Sequence, residues 1–152
     1  VDYKDVKKLP VPQKFTLHLT TEIQLLNEVL SWFDQFDCPP VPNRTWMQCQ
    51  LALAEAFTNA VRHAHQGLPR DTPIDLEVSI LPDSLEIRIW DCGPGLDLAA
   101  KLKALSQHRD KDAEGGRGLL LIELIADRMS YTKTENNRNC FLIVKHYYHT
   151  SG

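Results

Sequence analysis

Ile74-Asp75-Leu76-Glu77-Val78-Ser79-Ile80-Leu81-Pro82-Asp83-Ser84-Leu85-Glu86-Ile87-Arg88-Ile89-Trp90-Asp91-Cys92-Gly93-Pro94-Gly95 is the stretch that decides the fold. Its two runs alternate aliphatic with polar residues, the period of half-buried strands, and Leu81-Pro82-Asp83-Ser84 between them has the composition of a hairpin turn. The inward faces of such a pair are aliphatic and need a cover. The second run closes on Asp91, followed by Gly93 and Gly95. Taken alone, that ending fits a tight turn. Glycines also admit a ligand close to the backbone, and a carboxylate accepts a hydrogen bond from an exocyclic amine.

The flanking sequence supplies the cover. Upstream, Phe15-Thr16-Leu17-His18-Leu19-Thr20 alternates as a strand, and Ile23, Leu26, Leu30 and Phe33 recur at helical spacing within residues 21–36 before Cys38-Pro39-Pro40 breaks the pattern. Asn43 is the expected N-cap of a second helix carrying Met47, Leu51, Ala54, Phe57 and Val61 toward Gly67 and Pro69. Downstream, residues 96–114 are polar apart from a helical stretch at 98–105, which predicts a mobile lid. Residues 118–128 read as an apolar helix, and 129–134 and 140–148 as strands around an Asn136-Asn137 turn. The order β-α-α-β-β-lid-α-β-β does not strictly alternate. It predicts an α+β fold, a two-layer α/β sandwich whose mixed, mostly antiparallel sheet carries helices on one face.

A length of 152 residues suits one domain with its own core, expected over 13–150, after a charged and proline-containing arm at 1–12. With 43% hydrophobic and 24% charged residues the composition is that of an ordinary globular protein, and the net charge of −3 gives no long-range attraction to nucleic acid or acidic lipid. Direct nucleic-acid binding is therefore not expected. Cys38, Cys49, Cys92 and Cys140 contain no C-x-x-C pair, which argues against a zinc site or a disulfide framework and for reduced thiols in the cytoplasm. Residues 118–126, the longest apolar stretch, fall far short of the roughly 20 needed to span a bilayer. The start, Val1-Asp2-Tyr3-Lys4, reads as a trimmed end without the apolar core of an export signal.

Two further segments bear on function. Gln48, Glu55, Asn59, Arg62 and Gln66 form one polar stripe on the second helix, which by itself describes a solvated face as well as a site. Gly115-Gly116-Arg117-Gly118 runs into the last helix, where backbone N–H groups converge on phosphates, although a glycine cluster also serves as a hinge or for close helix packing. His63 and His65 invite a metal reading, but an H-x-H pair on a helix points its rings about 200° apart, and no further ligand is suitably spaced. Trp32, Trp46 and Trp90 are read as core or dimer-face packing.

The ordered set Glu55-Ala56-Phe57-Thr58-Asn59-Ala60-Val61-Arg62-His63-Ala64, Asp91-Cys92-Gly93-Pro94-Gly95 and Glu114-Gly115-Gly116-Arg117-Gly118-Leu119-Leu120-Leu121-Ile122 resembles the GHKL ATPase superfamily and, within it, the bacterial anti-sigma-factor serine/threonine kinases. The resemblance covers most of the chain and implies the Bergerat, histidine-kinase-like ATPase fold. Position by position, it implies that Asn59 ligates the Mg²⁺ that bridges the ATP phosphates, and that Glu55 is the catalytic base for the substrate hydroxyl. Asp91 would hold the adenine amino group, with Gly93 and Gly95 making room for the ring. Gly115, Gly116, Arg117, Gly118 and Leu119 would complete the nucleotide site. The implied activity is Mg-dependent, ATP-driven serine/threonine protein kinase chemistry on a small STAS-type anti-sigma antagonist, with sequestration of a sigma factor and hence transcription regulation by a homodimer.

Three positions depart from the pattern of relatives. His65 stands where an aromatic residue is common, and Cys140 where a threonine that helps hold adenine is common, so weaker nucleotide affinity is expected; Pro94 is a neutral filler. Arg62 falls at a position that varies among relatives. Two other functions fit the same boxes. One is a nucleotide-gated binding module without transfer, against which the presence of Glu55 argues. The other is the catalytic half of a histidine kinase, whose phosphoacceptor hairpin is not expected from the residues that precede the second helix.

Overall fold

The computed structural model describes residues 12–37, 39–107 and 116–147. Strand β1 (Gln13–Thr20) is followed by a 3-10 turn (Ile23–Leu25) and helices α1 (Leu26–Asp34) and α2 (Asn43–Asn59), the latter running into a π-helical turn (Ala60–Ala64). The hairpin β2 (Pro73–Ile80) and β3 (Ser84–Asp91), helices α3 (Leu98–Gln107) and α4 (Gly116–Ile125), and strands β4 (Arg128–Lys133) and β5 (Asn139–His146) complete the order. The expected sequence of elements is present. The N-cap of α2 is Pro42, with Asn43 already in the helix and its amide 3.7 Å from Met47 Sδ, a shift of one residue at a helix end.

Five strands form one sheet in the order β1-β2-β3-β5-β4, and each of the four pairings is antiparallel, so no parallel pair mixes into it. Register decides what lies on each face. Leu17, Leu76, Ile89, Phe141 and Tyr131 make one rung across the whole sheet, and Phe15, Val78, Ile87, Ile143 and Met129 make another. Because side chains alternate, these rungs share the inner face with Asp91 and Asn139, which are paired partners. The intervening rung of Asp75, Trp90, Cys140 and Thr132 faces the opposite way.

The helices cover the aliphatic face. Val29 and Phe33 of α1, Trp46, Cys49, Ala52, Leu53, Ala56 and Phe57 of α2, and Leu119 and Ile122 of α4 join the strand residues in one core. Phe33 stacks on Trp46 with ring centroids 4.2 Å apart, and burying one such side chain is worth about 1.5–3 kcal/mol. Cys49 is sealed inside, and burial pushes its thiol up to about 12, leaving it inert. The outer face is polar: Lys14 and Arg88 pair with Glu77 across strands, Arg88 also pairs with Glu86 along β3, and Arg138 pairs with Asp75. Such solvated pairs add little stability.

Candidate functional site

Regular helix ends at Asn59. In the π turn that follows, the His65 N–H bonds to the Ala60 carbonyl at 2.9 Å, five residues back. The wider turn changes which residues face inward. The polar stripe read along the helix therefore stops at Asn59: Arg62 is exposed to solvent, whereas His63 and Ala64 reach a cavity of about 270 Å³ beside the sheet. Ala56, Asn59 and Ala60 line it from the helix side, Ile89, Asp91, Phe141 and Tyr131 from the sheet, and Pro94, Gly95 and Leu96 from the loop after β3. Leu98 and Lys101 of α3 and Leu119 of α4 close it. The walls are mostly apolar with a few polar groups, the usual make-up of a small-molecule site.

Asp91 is 3% exposed, and both of its carboxylate oxygens accept hydrogen bonds. Its Oδ1 accepts hydrogen bonds from the Gly93 N–H (2.8 Å) and the Asn139 amide (2.9 Å), and its Oδ2 accepts one from the Tyr131 hydroxyl (2.6 Å). Asn139 also donates to the Gly93 carbonyl at 2.8 Å. Burial first, and then the Asp91 carboxylate, push the Tyr131 phenol above its ordinary value, so it stays protonated and donating. A buried carboxylate is tolerable when donors surround it in this way.

The loop after Asp91 is clamped from beneath. His65, 2% exposed, accepts the Cys92 N–H on Nε2 at 2.7 Å, which fixes its uncharged form with the proton on Nδ1. A Cβ on Gly93 would lie 2.4 Å from the Ala64 carbonyl oxygen, so glycine is the residue that lets strand and π turn touch here. Gly95 has φ +85°, where a side chain is strained, and a Cβ there would sit 3.0 Å from Asn139 Oδ1.

At the other end, α4 begins against α2. Gly116 and Gly118 are buried, and a Cβ on Gly118 would stand 2.6 Å from Glu55 Oε2 and 3.4 Å from Asn59 Nδ2. Glu55, one turn before Asn59, thus meets the same glycine without lining the cavity itself. The Asn59 Nδ2 is buried without a hydrogen-bond partner. Arg117 is exposed, while Glu114, Gly115 and residues 108–113 of the expected lid lie outside the described residues, as do residues 1–11 of the expected arm and Cys38.

The Asn59 amide oxygen and the Glu55 carboxylate are hard donors beside an orphaned buried amide and a gap that only glycine leaves. These residues fit a small divalent ion that takes its remaining ligands from phosphate oxygens and water. Among the described residues, no three of His, Cys, Asp and Glu come together as a protein-only metal cage.

The structure brings Asn59, Asp91, Gly95 and Leu119 to one cavity, with Gly93 against the lining Ala64 and Gly118 against Glu55 and the lining Asn59. Cys140 is not part of it. Strand alternation turns its side chain to the outer face, away from the place where a threonine would help hold adenine, and the groups bonded to the Asp91 carboxylate are Asn139 and Tyr131. Sequence reasoning also missed His63, Lys101 and Phe141. The β5 register held the signal for Asn139 and Phe141, which share an alternation with Ile143.

The model of the histidine kinase-like ATPase domain family matches residues 19–145. Serine-protein kinase RsbW of Listeria innocua is 39% identical over 83 residues, 51% of this chain and 52% of that protein. The protein of the same name from Bacillus licheniformis is 33% identical over 85 residues, 53% of each chain. The chain thus spans about half the length of the curated relatives it matches. Among solved structures, the SiaB-SiaC complex from Pseudomonas aeruginosa contains a chain that superposes with TM-score 0.60 at 13% identity, covering 95% of both chains. The histidine kinase domain of a blue-light activated histidine kinase from Erythrobacter litoralis gives 0.51 at 17% identity, covering 83% of this chain and 60% of that one. These two likenesses concern the fold.

Proposed function

The chain belongs to the histidine kinase-like ATPase domain family, and from that premise we propose that it is an anti-sigma regulatory factor that phosphorylates a serine or threonine of a small STAS-type antagonist protein and otherwise sequesters a sigma factor. One observation carries the reading: Glu55 and Asn59, one turn apart, both meet Gly118 at the start of α4, beside a cavity whose far wall is the locked Asp91. Carboxylate, metal-ligand amide, helix N-terminus and ring-binding carboxylate occur in the order a nucleoside triphosphate needs. Its relatives named as serine-protein kinases support the acceptor class.

Each residue has a separate task in this proposal. Asp91 accepts the adenine amino group, while Gly93 and Gly95 keep the loop low enough for the ring, which packs on Leu119. Asn59 holds Mg²⁺ through its amide oxygen. The N–H groups of Gly116 and Gly118 and the Arg117 guanidinium would face the phosphates at the positive end of α4, and the resemblance alone adds Gly115 to them. Mg-ATP supplies the transferable phosphoryl group with its charge partly neutralised. Glu55 takes the proton of the acceptor hydroxyl, the one step that needs a base rather than positioning. Helix α3, whose Leu98 and Lys101 line the cavity, is the described part of the expected lid and would help exclude water during transfer. Dimerisation and a cytoplasmic setting enter from the relationship to the named kinases alone. Among the described residues, no helix is long and apolar enough to cross a membrane.

The experiment is incubation of purified protein with Mg-ATP and a purified STAS-type antagonist domain. Acid-stable phosphoserine or phosphothreonine on the antagonist is the expected product. Intact ATP binding with no phosphoprotein would leave a nucleotide-gated binding module in its place, and acid-labile phosphohistidine would point to histidine kinase chemistry.

A further inference from the structure

The polar end of the cavity has an unusual balance of donors and acceptors. Asp91 Oδ1 already receives the Gly93 N–H and the Asn139 amide, which use both of its lone pairs. Oδ2 receives the Tyr131 hydroxyl at 2.6 Å and keeps one lone pair. Tyr131 has given its only proton to Asp91, so its oxygen offers a ligand lone pairs alone. Both residues line the cavity. The Tyr131 ring cannot easily swing away, because it stands edge-on to Phe141, its cross-strand partner, at 5.9 Å and 85°.

We infer that Tyr131 is a specificity-determining residue: by committing its hydroxyl proton to Asp91 it leaves the Asp91–Tyr131 pair offering a ligand acceptors only, and so strengthens the selection of a 6-amino purine over a 6-oxo purine. The inference rests on the nucleotide reading above and adds to the acceptor on Asp91 a second one, on Tyr131, for the other amino hydrogen. An amino group brings two hydrogens to two acceptors. A carbonyl at the same place meets lone pairs from both. The carbonyl gains a donor only if the Tyr131 O–H turns off Asp91, and that strips a partner from a buried carboxylate. Sites that reject a ligand by leaving buried polar groups unpaired discriminate far more strongly than sites that reject by shape.

Tyr131→Phe keeps the ring and its contact with Phe141 and removes only the hydroxyl. Binding of ATP, GTP and purine riboside triphosphate, which carries no group at the 6-position, is measured by titration calorimetry with Mg²⁺ for both proteins. The variant is expected to bind ATP about tenfold more weakly, the value of one hydrogen bond in a charged network, and to bind the unsubstituted purine within about twofold of wild type. Its preference for ATP over GTP shrinks accordingly. In the wild-type protein, without any mutation, ATP is expected to bind more tightly than purine riboside triphosphate, which is in turn expected to bind more tightly than GTP. An equal loss for all three ligands, or an unchanged ATP-to-GTP ratio, overturns the role of Tyr131. A wild-type protein that binds none of them overturns the nucleotide reading itself.

Discussion

The two ends of the cavity are built differently. At the Asp91 end the recognition groups are tied to one another: the carboxylate receives three hydrogen bonds, and His65 and Asn139 fix the loop beside it, with His65 Nδ1 the one buried atom of this set that has no partner. At the Glu55 end the Asn59 Nδ2 is buried without a partner, and only the absence of a Cβ on Gly118 leaves room beside the Glu55 carboxylate. On the proposed function, the difference separates recognition from transfer. Groups that read a rigid ring gain from being fixed in advance, since ordering them on binding costs affinity. Groups that handle phosphate and metal are completed by ligands that the protein does not own.

The sharpest way to break this comparison is at Glu55. Glu55→Gln keeps the shape and removes the base, so transfer to the antagonist should fall by about 10²–10⁴-fold while ATP affinity stays within about threefold. Phosphoprotein formation and calorimetric binding, measured on the same preparation, separate the two effects. Equal losses in both would mean that Glu55 belongs to recognition, and the division between the ends would fail.

Two glycines sharpen it next. Gly93→Ala drives a Cβ into the Ala64 carbonyl oxygen, a backbone atom that cannot step aside, so a loss of about 1–3 kcal/mol in stability is expected together with weakened nucleotide binding. Gly118→Ala meets the end of the Glu55 side chain, which can rotate away. The fold should therefore tolerate it, with a Tm close to wild type, while transfer drops at least tenfold because the carboxylate is displaced. Thermal melts and phosphorylation rates on both variants test the pair. If Gly118→Ala melted as early as Gly93→Ala, the close approach of α4 would be structural rather than catalytic.

His65 gives the recognition end a dependence on pH. Burial, opposed by Asp91 and assisted by Arg138, holds its imidazole below the ordinary value of 6.5. Below pH 6.5 the unfolded chain binds a proton that the folded chain refuses, so the His65 contribution is whole above pH 6.5 and is lost as pH falls toward the folded value. Protonation would also turn the acceptor of the Cys92 N–H into a second donor. Tm should thus fall more between pH 7 and pH 5 in the wild type than in His65→Gln, by roughly 2–4 °C for a chain of this size. Parallel slopes would remove His65 from the account.

Most of the architecture was legible because it rests on periodicity. The 74–90 hairpin, the existence of the helix that carries Glu55 and Asn59, and the apolar helix after the glycine cluster follow from local pattern, although regular helix stops at Asn59 where the pattern runs on through Val61. What escaped was set by tertiary register. Nothing in residues 129–134 marks Tyr131 as a partner of Asp91, because that contact exists only once β5 lies between β3 and β4. The π turn was equally hidden. A strict helical count carries the stripe on to Arg62, whereas the wider turn delivers His63.

Cys140 is where these two kinds of reading conflict, and it yields the smallest expected effect. By resemblance, a cysteine in place of threonine weakens the hold on adenine; by register, its side chain shares the outer face with Trp90 and Thr132 and cannot reach Asp91. Burial raises its thiol, and the charges felt there include Arg88 and Glu77, which belong to that outer surface. The partner that a threonine hydroxyl would offer is already provided by Asn139 and Tyr131 from the correct side. Cys140→Thr should therefore leave ATP affinity within about twofold of wild type and stability within about 0.5 kcal/mol, the range of substitutions away from special features. Titration calorimetry on the variant tests this. A gain of tenfold in affinity would mean that β5 presents its other face to the nucleotide, and the separation between a finished recognition end and an unfinished transfer end would have to be redrawn around that strand.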